Sequence, residues 1–133
     1  MARAAPAVAA SSLDANFPTA AGALTVGAVQ AAGLTRLEPF SSRGRTSDAR
    51  PKPDLVGPSG LRTEALPEFA GTSAAAPFVA GTAALVLARR PRLAPEQVRA
   101  LLRRTARDLG PPGWDVAYGA GLVQPAAALQ EMH

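Results

Sequence analysis

Between Glu68 and Arg89 the chain carries no charged side chain. The spacing predicts one long helix over residues 73–90. It opens after Gly71-Thr72 and closes at Arg89-Arg90-Pro91. The arginines complement the negative end of the helix dipole, and the proline stops the helix. Ala76, Phe78, Val79, Ala80, Ala83, Ala84, Leu85, Val86 and Leu87 put apolar groups on nearly every side. A helix apolar all round is normally buried all round. Such a helix needs cover on two sides, a heavy demand on 133 residues. Any uncovered remainder is an apolar patch that soluble monomers avoid, so the isolated chain is expected to be aggregation-prone or partner-dependent.

The length suits one domain. The hydrophobic fraction is 47%, but much of it is alanine and only 5% is aromatic, so the core is shallow for its count. Thirteen prolines and 12 glycines imply many turns and short elements. Ala23-Leu24-Thr25-Val26-Gly27-Ala28-Val29 is a nearly continuous apolar run with β-branched members, which suits a strand buried on both faces of a parallel sheet. Residues 5–10 read as a short strand and residues 13–22 as a loop. Asp54-Leu55-Val56 reads as a short strand closed by Gly57-Pro58. A second helix is expected over about 95–108, with Pro95 first and Glu96 in its first turn. Val98, Leu101, Leu102 and Thr105 form one stripe of it. Arg99, Arg103 and Arg107 line another face, which reads as solvated surface. Gly110 to Gly121 is turn-rich and carries Trp114 and Tyr118, and a last short helix runs from near Pro125 to about Gln130.

Composition narrows the partners. Net charge is +4 and Lys52 is the only lysine. The arginines are scattered with no aromatic stacking platform beside them, so a nucleic-acid partner is not expected. The absence of cysteine excludes disulfides and thiolate metal sites. No clustered carboxylates suggest a calcium site. No apolar run approaches 18 residues by this reading, so neither a membrane-spanning helix nor a membrane partner is expected. The start, Met1-Ala2-Arg3-Ala4-Ala5-Pro6-Ala7-Val8-Ala9-Ala10, loosely mimics a signal peptide. Its apolar region is short and proline-broken, and a truncated buried strand is the better reading.

The chemistry concentrates at Gly71-Thr72-Ser73. A serine at the mouth of a helix has its hydroxyl near unpaired backbone N–H groups. Those donors can stabilise an oxyanion, and the preceding glycine lets the chain turn sharply. The plain alternative is a helix cap, the usual role of serine or threonine at this position.

The wider context resembles a known signature. Gly71-Thr72-Ser73-Ala74-Ala75-Ala76-Pro77-Phe78-Val79-Ala80-Gly81 matches every fixed position of G-T-S-x-A-x-P-x-V-[AS]-G, the nucleophile motif of the subtilisin-like serine proteases, or subtilases. Phe78 stands at the variable position that often holds histidine. Further segments follow in family order. The Ala23–Val29 run resembles the buried strand after the substrate-pocket loop. Phe40-Ser41-Ser42-Arg43-Gly44-Arg45-Thr46 is similar to F-S-S-R-G-P-T, with Arg45 in place of proline. Lys52-Pro53-Asp54-Leu55-Val56-Gly57-Pro58 resembles K-P-D-[IL]-V-A-P, and Tyr118-Gly119-Ala120-Gly121-Leu122-Val123 resembles Y-G-x-G-L-V. Leu93-Ala94-Pro95-Glu96-Gln97-Val98 resembles the start of the helix after the serine helix.

The resemblance implies an α/β fold: the C-terminal part of a parallel sheet with helices on both faces, incomplete as given. It implies three stretches: a truncated strand and oxyanion-loop region over 1–12, strands and substrate-side loops over 13–72, and the nucleophile helix with C-terminal helices over 73–133. It makes Ser73 the catalytic nucleophile, peptides or proteins the substrates, and secretion the location. No cofactor is expected, and the resemblance alone allows calcium. Ala9-Ala10-Ser11-Ser12 stands where the family has A-A-G-N, which makes Ser12 the favoured oxyanion-hole position, with Asn16 the donor instead if the loop aligns differently, and Ala10 and Ser11 substrate-binding positions. Losing the asparagine donor costs about 10²–10³ in turnover in this family.

The rest of the triad is missing. The serine mechanism needs a base near neutral pKa, oriented by a carboxylate. The only histidine is His133, the last residue. A chain terminus is a poor anchor for an imidazole that must be held in catalytic geometry. The D-[ST]-G and H-G-T-H motifs of the family are absent, and Asp14, Asp48, Asp54, Asp108 and Asp115 lie outside any such pattern. Two readings stay open: an endopeptidase fragment whose Asp and His lie in an N-terminal subtilase half, or a non-catalytic pseudoenzyme. Removing the base costs about 10⁶ in this family, so the chain alone is expected to be inactive.

Overall fold

A computed structural model describes residues 20–131. Five elements follow in order: β1 (Val26–Gln30), β2 (Leu55–Ser59), α1 (Thr72–Arg89), α2 (Pro95–Arg104) and α3 (Pro125–Gln130). The readings at 5–10 and over most of 13–22 lie outside the described residues. The strands are parallel, with Val26 opposite Leu55 and Gln30 opposite Ser59. On its other flank β2 meets the 121–123 segment: Val56 N–H donates to Gly121 O at 2.9 Å and Val56 O accepts Val123 N–H at 3.0 Å.

Gly57 and Pro58 lie within β2, where the sequence suggested that they close it. Pro58 is tolerated for a geometric reason. Backbone groups alternate in direction along a strand, so its missing N–H would face the flank that Val56 faces, two residues further on. Proline survives in a sheet where the ladder asks for no donor.

Alternation along β2 sends neighbouring side chains into two clusters. Leu55 packs with Val79, Val86, Leu101, Leu102 and Val123 beneath the helices. Val56 packs with Val29 and Leu122, and Leu34, Leu37, Leu109 and Tyr118 close that cluster from the loops. Gly57 lets α1 lie close on the sheet. A Cβ there would stand 2.8 Å from Ala75 O and 3.3 Å from Val79 Cγ2.

A buried ion pair ties the starts of both strands together. Lys52 Nζ donates to Asp54 Oδ2 at 2.7 Å and to Ala23 O at 2.6 Å. Thr25 N–H donates to the same carboxylate oxygen at 2.7 Å. Both charged side chains are under 5% exposed.

Three expectations are corrected. First, α2 ends at Arg104, not near 108. Arg107 and Leu122 exchange backbone bonds of 2.8 Å in each direction, and this bridge draws the chain out of the helix. Second, the arginine row is not merely solvated. Arg99 Nη2 donates to Ala21 O and Ala23 O, Arg107 Nη2 donates to Leu34 O, and Arg103 Nη1 lies 4.0 Å from Asp54 Oδ1. Loops folded over this face present carbonyls that the guanidinium forks reach. Third, α1 is 18 residues long and, by length and composition alone, apolar enough to cross a membrane. Its hydroxyl residues, Thr72, Ser73 and Thr82, are small and dilute hydropathy little.

Burial divides α1 lengthwise. Ala75, Val79, Thr82 and Val86, at i, i+4, i+7 and i+11, are buried. Ser73, Pro77, Ala80, Ala84 and Ala88 repeat the same spacing and are exposed. Phe78, Leu85 and Leu87 are exposed beside them. The two strands and the two shorter helices cover only one side of this helix, which leaves the uncovered remainder that its sequence foretold.

Candidate active site

Gly71 caps α1 with φ 108° and ψ 168°, a region that side chains other than glycine's essentially never occupy. Its carbonyl accepts Ala74 N–H at 3.0 Å and Ala75 N–H at 3.3 Å, which starts the helix. Its N–H donates to Ser59 Oγ at 2.8 Å. Just upstream, Gly60 and Leu61 N–H both donate to Phe69 O at 3.0 Å, and Phe69 N–H returns to Leu61 O at 2.7 Å. The end of β2 therefore holds the segment that leads into α1.

Ser73 follows in the first turn and is exposed. No side chain caps the helix, and no acidic residue stands in its first turn. The first-turn amides thus offer positive partial charge with no carboxylate on that turn to offset it. Pro77 sits four residues on and lacks the N–H that would bond the Ser73 carbonyl. A hydroxyl nucleophile beside an uncompensated helix N-terminus can form and stabilise an oxyanion, given a base.

Ala10, Ser11 and Ser12, with Asp14 and His133, lie outside the described residues. No histidine occurs among the described residues. Each described aspartate serves a loop or the core. Asp54 takes the Lys52 ammonium. Asp108 Oδ2 accepts Gly113 N–H at 2.6 Å, and Asp115 Oδ1 accepts the Ala117 and Tyr118 N–H groups at 2.8 and 2.9 Å. Asp48 accepts from Thr46 Oγ1 and from Arg50 Nε. The Thr46 hydroxyl first, then the Arg50 guanidinium, hold its carboxyl below the ordinary 3.8. Among the described residues no group of three or more His, Cys, Asp or Glu could hold a metal.

A cavity of about 280 Å³ lies among Arg90, Leu93, Gln97, Ala100, Leu101, Arg104 and Glu131. It borders the far end of α1, roughly 25 Å along the helix from Ser73 at 1.5 Å per residue. It is therefore not the place where Ser73 meets a substrate. Sequence reasoning missed Ser59. A serine ending a strand carries no motif, and only the fold brings its hydroxyl to Gly71.

A profile described as the Subtilase family matches residues 3–121. Fervidolysin from Fervidobacterium pennivorans is 48% identical over 62 residues, 47% of this chain and 9% of that protein. The crystal structure of fervidolysin, described as a keratinolytic enzyme related to subtilisin, superposes with a TM-score of 0.66 at 33% identity, over 82% of this chain and 19% of that one. Subtilisin from Bacillus pumilus is 38% identical over 107 residues, 80% of this chain and 37% of that protein. An extracellular serine protease from Serratia marcescens is 45% identical over 53 residues, 40% of this chain and 5% of that protein. The chain thus spans well under half the length of these relatives.

Proposed function

Since the chain belongs to the subtilase family of serine proteases, we propose that it is the C-terminal, nucleophile-bearing portion of a serine endopeptidase domain. The observation that carries this reading is Ser73, exposed in the first turn of α1 with its signature intact. The Ser73 hydroxyl attacks a peptide carbonyl carbon, and its proton passes to an external imidazole base. The oxyanion lies against the Ser73 N–H and whatever Ser12 contributes, with Ala10 and Ser11 beside the substrate backbone. Collapse expels the amine, which takes up the proton and leaves an acyl-enzyme for water to hydrolyse. The substrates are peptides or proteins. No cofactor takes part in these steps.

The base and its carboxylate come from a polypeptide resembling the N-terminal half of a subtilase domain. The exposed stripe of α1 supports this, because it begins at Ser73. Whatever covers Pro77, Ala80 and Ala84 also lies beside the nucleophile. Secretion is part of the proposal, supported by the extracellular relative from Serratia marcescens.

Co-expression with an N-terminal subtilase half carrying the Asp and His motifs tests the reading. Casein hydrolysis that disappears in Ser73→Ala is the expected result. A tight complex with no hydrolysis would favour the alternative, a pseudoenzyme, for which the absence of histidine among the described residues is the supporting observation.

A further inference from the structure

Ser59 ends β2 and is 1% exposed. Its carbonyl accepts Ala31 N–H at 2.8 Å, which fixes its backbone beside the chain leaving β1. Its hydroxyl oxygen accepts the Gly71 N–H at 2.8 Å. A buried side chain on the sheet therefore reaches twelve residues along the chain to the cap of the nucleophile helix. Resting on the reading of Ser73 as nucleophile, we infer that Ser59 is a positioning residue, whose hydroxyl fixes the Gly71 peptide and through it the Ser73 N–H and Oγ.

Gly71 needs such a clamp. Glycine has the widest backbone freedom of any residue, so an unheld Gly71 has many alternatives to the conformation that aims Ser73. The bonds from Gly60 and Leu61 end at Phe69, two residues short of Gly71. Beyond Phe69, the Ser59 hydroxyl is the described side chain that holds the turn. The other Gly71 backbone bonds run forward into α1, so they carry its orientation to the helix without setting it. Loss of the hydroxyl thus leaves the Leu61–Phe69 bridge and the helix in place but frees the peptide between them. A misplacement of about 1 Å at a reacting atom can cost about 10²-fold in rate.

The test has two arms. In the complex with an N-terminal subtilase half, Ser59→Ala and the near-isosteric Ser59→Cys lower kcat by about ten- to a hundredfold with KM nearly unchanged, and Ser59→Thr restores most of the rate. In the 133-residue chain, deuterium exchange of a peptide spanning 69–75 accelerates in Ser59→Ala and Ser59→Cys but not in Ser59→Thr, while exchange of 96–104 is unchanged. Wild-type kcat in both hydroxyl-free variants overturns the inference. An equal loss in Ser59→Thr overturns it as well, since any change at a buried site then has the same effect. Uniformly faster exchange across the chain also overturns it, because Ser59 then supports the whole fold. If the wild-type complex is inactive, the proposed function fails while the exchange arm still decides the clamp.

Discussion

The uncovered side of α1 gives the prediction with the most direct magnitude. Phe78 is 36% exposed, Leu85 52% and Leu87 37%. Full burial of one such side chain is worth about 1.5–3 kcal/mol, so the exposed fractions hold about 2–4 kcal/mol for any surface that covers them. Converted at 1.4 kcal/mol per factor of ten, this is about 30- to 700-fold in a dissociation constant. Replacing all three by glutamine keeps good helix formers in place and leaves long stems over the half-buried positions. The wild-type chain should self-associate at micromolar concentration and bind an apolar dye. The triple variant should sediment as a monomer, lose most of the dye signal and keep its far-ultraviolet helix content. It should also bind an N-terminal subtilase half at least about 30-fold more weakly. A wild-type chain that stays monomeric, binds no dye and unfolds cooperatively would refute the reasoning.

The triple variant also provides a soluble background for the other tests. Lys52→Met strands the buried Asp54 carboxylate and should cost about 3–5 kcal/mol by urea denaturation, while an exposed arginine such as Arg62 changed to methionine should cost almost nothing. Gly57→Ala should cost about 1–3 kcal/mol, because its methyl would press on the Ala75 carbonyl, a backbone atom with little room to yield. Asp48 should titrate below 3.8 by carbon-detected NMR, since Thr46 and Arg50 bond its charged form. Folding depresses this carboxyl, so its contribution is present above the unfolded pKa and is lost as pH falls through the lower folded value. Asp48→Asn should remove that acid sensitivity from the 46–50 loop.

The sequence announced elements whose evidence is local. Helix α1 was visible from its uncharged run and its arginine-proline stop, and α3 from Pro125. Parallel pairing was implied by the apolar Ala23–Val29 run. What sequence could not show depends on contacts between distant segments. Residues 105–108 have helical periodicity, yet a bridge to Leu122 takes them out of α2. Pro58 looks like a strand stop until the flank it faces is known to need no donor. Arg99 and Arg107 look solvated because nothing in their spacing reveals loop carbonyls more than seventy residues away. At the site, Ser73 was legible because its motif is contiguous. Ser59 was not, because its role exists only where β2 and the α1 cap meet.

The central proposal is that Ser73 is a nucleophile served by a base on an N-terminal subtilase half. Fluorophosphonate labelling of the purified chain, with and without an N-terminal subtilase half, tests it most directly. The account predicts no efficient labelling of the chain alone, and labelling at Ser73 once the half carrying the histidine is bound. Rapid labelling of Ser73 in the isolated chain would contradict it.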